Sequence, residues 1–149
     1  MSLGQSKLAL RVFLDVFGGR NTHRMKPIPE NYQHVMPYLV VAGAADFIEF
    51  AKKVFDARET YRVMRDPTTI QHAEVMIAQS TVMVADRTPQ FAEQPAGLFV
   101  YVDDADKRYA MALAAGAKSL MPPADQTYGR SCGVKDAWGN TWWITTPKD

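Results

Sequence analysis

The chain repeats itself. Two stretches, centred about sixty residues apart, carry the same order of apolar strand, small or acidic loop and helical face, so one supersecondary unit occurs twice. The first copy opens with Val35-Met36-Pro37-Tyr38-Leu39-Val40-Val41, rich in the β-branched and aromatic residues that suit a strand. Ala42-Gly43-Ala44-Ala45 leads to Asp46, and Phe47, Phe50, Val54 and Phe55 then fall on one face of a helix ending near Asp56-Ala57. The second copy opens with Leu98-Phe99-Val100-Tyr101-Val102, continues through Asp103-Asp104-Ala105-Asp106, and marks a helix with Tyr109, Ala110 and Leu113 that stops at Gly116-Ala117. Asp46 thus matches Asp106, and Asp56-Ala57 matches Gly116-Ala117, with a one-residue difference in the first loop. A strand meander follows each helix: 60–65, 71–78 and 81–85 in the first, 118–121, 131–135 and 141–145 in the second. The sequence therefore predicts an α+β fold of two β-α-β-β-β modules, 32–88 and 95–149, whose curled mixed sheets enclose a cleft.

Composition narrows the function. With 17 Lys+Arg against 16 Asp+Glu and no basic block, nucleic acid is an unsuitable partner. No apolar run reaches the ~18 residues of a membrane span, and charges interrupt the apolar stretch near the N-terminus, so a cytoplasmic protein is expected. The one cysteine, Cys132, excludes an intramolecular disulfide and a cysteine-based zinc site. A place beside Arg130 can lower its pKa, whereas burial makes it inert. Residues 1–25 read as a separate helical extension: Leu10, Phe13, Leu14 and Phe17 form an apolar stripe, Ser6 can cap its start and Gly18-Gly19 can end it. The main domain is expected over 26–149.

The ordered series resembles a known family. It is carried by Met36-Pro37-Tyr38-Leu39-Val40-Val41, His72-Ala73-Glu74-Val75, Val82-Met83-Val84-Ala85-Asp86, Tyr101-Val102-Asp103-Asp104-Ala105-Asp106, Ala114-Ala115-Gly116-Ala117 and Asp136-Ala137-Trp138-Gly139-Asn140-Thr141-Trp142-Trp143-Ile144. From about Met25 onward this resembles the vicinal oxygen chelate superfamily of glyoxalases, bleomycin-resistance proteins and dioxygenases, and within it the PhnB-like branch. The resemblance implies the glyoxalase-like fold and a homodimer in which two chains complete paired clefts. It also implies that metal-dependent members take ligands from the first and last strand of each unit. Here those places fall on Met36, Met83, Gly97 and Trp143, none of them a hard oxygen or nitrogen donor, so no metal and no cofactor are expected at the usual site.

Two sets of residues remain as candidates. His72 and Glu74 sit at i and i+2, hence on one face of a strand, where they can orient each other or act as acid and base. By strand parity Met36, Tyr38, Met83, Phe99, Tyr101 and Trp143 point where the ligands would be, and such side chains stack on flat organic molecules. Arg130 is a further candidate, for an anionic ligand group or for pairing with Asp136. The leading expectation is a metal-independent protein that binds an apolar or aromatic compound, by sequestration or sensing. The alternatives are a lyase, isomerase or dioxygenase-type enzyme with a displaced site at His72 and Glu74, and a homodimeric interaction module.

Overall fold

A computed structural model of the chain describes residues 26–149. The expected helix of the first 25 residues lies outside the described residues. The elements run β1 (Tyr38–Val41), α1 (Ala44–Phe55), β2 (Arg58–Met64), β3 (Ile70–Ile77), β4 (Ser80–Asp86), β5 (Gly97–Tyr101), α2 (Ala105–Ala114), β6 (Lys118–Gln126), β7 (Gly129–Lys135) and β8 (Thr141–Pro147). They build two four-stranded mixed sheets of identical plan, β1-β4-β3-β2 and β5-β8-β7-β6. In each, the first strand runs parallel to the last and the other pairs are antiparallel.

The duplication extends to register. Tyr38, Met83, Glu74 and Tyr61 are successive partners across the first sheet. Phe99, Trp143, Gly133 and Met121 are their counterparts across the second. A register shift falls between Glu59 and Tyr61 in β2 and between Ser119 and Met121 in β6, so the same irregularity bends both outer strands.

Helix α1 forms because Phe47, Ile48, Phe50, Ala51, Val54 and Phe55 give it one continuous apolar face. Its N-terminus is fixed by Asp86 Oδ1, which accepts from the backbone N–H groups of Gly43 and Ala44, both at 2.9 Å. Asp104 caps α2 by accepting from Lys107 N at 3.0 Å, and Gly116, at φ 98°, ends it. The buried face of α2 is Ala105, Arg108 and Ala112 rather than the expected Tyr109 and Leu113. Small residues there let the helix lie close to its sheet, while the Tyr109 hydroxyl reaches Ser119 at 2.7 Å. One core joins both modules: Phe47 and Phe55 of α1 meet Trp142 of β8 at ring distances of 6.5 and 4.6 Å. Strand parity then turns Tyr38, Tyr61, Phe99 and Tyr101 away from that core, and all are exposed.

Candidate functional site

On the outer face of the first sheet, His72 Nε2 lies 3.0 Å from Glu74 Oε1, as the i, i+2 spacing predicts. The structure adds two tyrosines that the spacing could not supply. Tyr38 of β1 places its hydroxyl 2.8 Å from His72 Nδ1, and Tyr32, in the segment before β1, donates to Glu74 Oε2 at 2.7 Å. Tyr32, Glu74, His72 and Tyr38 thus form one hydrogen-bonded chain. Tyr61 adds its ring 6.0 Å from the imidazole. Glu74 is only 7% exposed. Burial pushes its carboxyl up, but the hydrogen bonds from His72 and Tyr32 outweigh that and hold it below the usual range. The hydrogen bond to Glu74 raises the Tyr32 phenol, while burial and the Glu74 charge raise that of Tyr38. Both tyrosines therefore stay protonated at neutral pH.

Tyr38 also lines a cleft of about 690 Å³. Val40 and Ala85 of the same sheet, Arg65, Gln71, Asp86 and the loop carrying Pro89 and Phe91 complete its lining. That loop is strapped to the sheet edge by Gln94 N donating to Val40 O at 3.3 Å, and closed on itself by an Arg87–Glu93 ion pair of 2.9 Å. Sequence reasoning missed Phe91; an exposed aromatic beside a proline between two strands was the available signal. Arg65 donates to the Asp86 carbonyl at 3.2 Å. The Asp86 carboxylate is occupied by the N–H groups of Gly43, Ala44 and Ile70.

Of the other expected residues, Met83 adjoins this cluster and the rest lie apart. Phe99 and Tyr101 line a second hollow, of about 470 Å³, between the modules. Trp143 stands on the open face of β8, and its indole crosses Gly133, where an added Cβ would come within 2.5 Å of the ring. Met83 is half-buried between Tyr38 and Glu74, and Met36 lies before β1 begins. Arg130, the further candidate, is engaged in ion pairs with two aspartates. It alternates with Ser131, so it belongs to the helix side of its sheet, where it holds Asp106 of α2 through two N–H groups at 2.8 and 2.9 Å and Asp125 at 3.2 Å. It does not pair with Asp136. Cys132 is fully buried, and burial pushes its thiol up to about 11 despite the neighbouring Arg130. A thiol-reactive disulfide reagent at pH 8 is expected to label none of the folded protein and one site per chain after denaturation; fast labelling of the native state would contradict this.

At the places the resemblance implies for metal ligands, the donor chemistry does not fit a metal. Met83 and Trp143 offer a thioether and an indole, Gly97 no side chain at all, and no group of three or more His, Cys, Asp or Glu among the described residues is arranged to hold an ion. No described helix is long and apolar enough to cross a membrane.

Comparison with known proteins agrees with this architecture. A protein of Mycobacterium tuberculosis of uncharacterised function is 34% identical over 123 residues, covering 74% of this chain and 72% of its own length. The PhnB protein from Bacillus cereus, described as a putative 3-demethylubiquinone-9 3-methyltransferase, superposes with a TM-score of 0.64 at 21% identity, over 76% of this chain and 99% of its own. TnmS3, an antibiotic binding protein from Streptomyces sp. CB03234, superposes with a TM-score of 0.62 at 16% identity, over 84% and 100%. At such identities the two structures establish the fold alone. The family model of the Glyoxalase/Bleomycin resistance protein/Dioxygenase superfamily matches residues 31–144, most of the chain, and the protein belongs to that superfamily.

Proposed function

We propose that this protein binds a planar, apolar or aromatic small molecule in the cleft beside Tyr38, and sequesters or senses it in the cytoplasm. The cleft itself carries the reading. About 690 Å³ is within the range of small-molecule sites, and its lining is mostly apolar with a few polar groups that can fix orientation. Val40 and Ala85 give it aliphatic lining, and Tyr38 and Phe91 give it aromatic lining. The antibiotic-binding description of TnmS3, on the same fold, is consistent with this use. A second copy of the chain is part of the proposal. The open row of Phe99, Tyr101 and Trp143 is apolar and exposed, and laid over the first sheet of a partner it would close the cleft from outside.

Native mass spectrometry of protein purified without chelators tests both elements. A dimer carrying an organic adduct is expected. Phe91→Ala should weaken ligand retention by roughly tenfold, the worth of one lost aromatic contact. Phe99→Asp should yield monomer. Retention unaffected by Phe91→Ala would remove the cleft from consideration, and an unchanged mass in Phe99→Asp would remove the second copy.

One observation favours a second reading, an acid–base enzyme of lyase or isomerase type. The Glu74–His72–Tyr38 chain orders a carboxylate, an imidazole and a hydroxyl in line, the arrangement by which a base is oriented and a proton moved. In that case His72→Ala abolishes turnover while the melting temperature stays nearly constant.

A further inference from the structure

With the His72 imidazole taken as neutral, the charged member fixes the direction of every proton in the Tyr32–Glu74–His72–Tyr38 chain. An ionised carboxylate only accepts, so Tyr32 spends its proton on Glu74 Oε2 and His72 Nε2 must be an N–H. A neutral imidazole has one N–H, which leaves Nδ1 a bare acceptor. The proton between Nδ1 and the Tyr38 oxygen, 2.8 Å apart, therefore belongs to Tyr38, which donates inward. A phenol oxygen that has given away its one proton retains lone-pair capacity and nothing else to offer. Tyr38 lines the cleft, and all its hydroxyl can then offer a ligand is an acceptor.

We propose, building on the binding reading above, that the cleft selects planar compounds bearing an acidic hydroxyl of phenol or enol type, which donates to Tyr38 Oη and passes its proton toward His72. The transfer balances without a co-reactant. The ligand O–H bond breaks as a Tyr38 O–H bond forms, and the former Tyr38 proton bonds to Nδ1. The products are a ligand anion and an imidazolium. Glu74 lies 3.0 Å from that imidazolium, and Arg65 lines the same cleft with a permanent positive charge. Besides Glu74 and Tyr38, the titratable group beside His72 is Tyr61, with its ring 6.0 Å away. Tyr38 is the group that touches the ligand. His72 is a positioning residue that acts through Tyr38 and stores the proton.

The test uses the full chain with 4-nitrophenol and its methyl ether, 4-nitroanisole, in which a methyl group replaces the donor hydrogen. Calorimetric titration gives affinity, and the phenolate absorbance gives the ionised fraction of bound ligand. The phenol is expected to bind roughly tenfold tighter than the ether, and to be more ionised when bound than free at the same pH. Tyr38→Phe should bring its affinity down to that of the ether. His72→Phe should return the bound phenol to the free ionised fraction, a change that loss of packing alone would not produce. If phenol and ether bind equally well to the unaltered protein, or if Tyr38→Phe leaves their difference intact, the selection for a donor is wrong and the cleft reading survives. If neither compound saturates the protein, the cleft reading fails and this inference fails with it.

Discussion

Asp136→Ala is expected to destabilise the protein by about 4 kcal/mol or more, the largest effect of any single change outside the cleft. Asp136 is buried at the start of the turn between β7 and β8, and its two oxygens accept four hydrogen bonds. Oδ1 takes the backbone N–H groups of Trp138 and Asn140 at 2.9 Å; Oδ2 takes Asn140 Nδ2 at 3.0 Å and the Trp142 indole N–H at 2.8 Å. Asn140 is fully buried and spends its own oxygen on Ala96 N at 3.0 Å, so nothing nearby can replace the carboxylate. Deleting it strands several donors away from water, at about 1–3 kcal/mol each. For a chain of this length that is a fall of about 10 °C or more in melting temperature. Asp136→Asn keeps one acceptor but turns an NH₂ group toward other donors, so it should fall between the two. The loss also reaches the joint between modules, because Trp138 packs 5.5 Å from Phe47 and 5.7 Å from Phe50. Thermal and urea denaturation followed by tryptophan fluorescence measure the effect. A loss under 1 kcal/mol would show that water replaces the carboxylate in the turn.

This hub also illustrates what the sequence could disclose. The Asp-x-Trp-Gly-Asn turn was legible as a turn, since its residue types and its place between two strands say so. That its aspartate serves Trp142 depends on packing that no local pattern encodes. The duplication was legible for a similar reason: apolar periodicity and the Gly116 stop are local signals. Boundaries slipped where proline intervened. β1 begins at Tyr38 rather than Val35, because Pro37 has no N–H to give a ladder, although its carbonyl still accepts from Met83 N at 2.9 Å. β6 runs on to Gln126 through Pro122-Pro123, which an outermost strand tolerates where its register shifts between Met121 and Ala124. In the site, His72 and Glu74 were readable from their spacing. Their partners were not: Tyr38 stands 34 residues from His72 and Tyr32 stands 42 from Glu74, and only the pairing of β1, β4 and β3 brings them together. Arg130 meets Asp106 and Asp125 instead of Asp136, since a one-residue alternation decides which face of a sheet a side chain serves.

Arg108→Met is the other change with a large expected effect, about 2–3 kcal/mol. The Arg108 side chain is 9% exposed on α2 and reaches across to the end of α1, where it donates to the Val54 carbonyl at 3.2 Å and meets Asp56 at 2.7 Å. It also binds Asp103 at 3.1 Å. Val54 lies in the last turn of α1, so its carbonyl has no partner within the helix, and a cation at that end suits the helix dipole. Removing the guanidinium leaves this carbonyl buried and unpaired, which is the costly part. The carboxylates are different. At 70% and 66% side-chain exposure, Asp56 and Asp103 return to water when released, so Asp56→Ala or Asp103→Ala alone should cost little. Removing both strands a nearly buried guanidinium without a counter-ion, and the double variant should lose clearly more than the sum of the singles. Urea denaturation of the four proteins at low and high salt separates the contributions: the Arg108→Met loss should persist in salt, because hydrogen bonding to a buried carbonyl is not screened. An Arg108→Met protein as stable as the parent, or strictly additive aspartates, would mean that apolar contact alone joins α1 and α2.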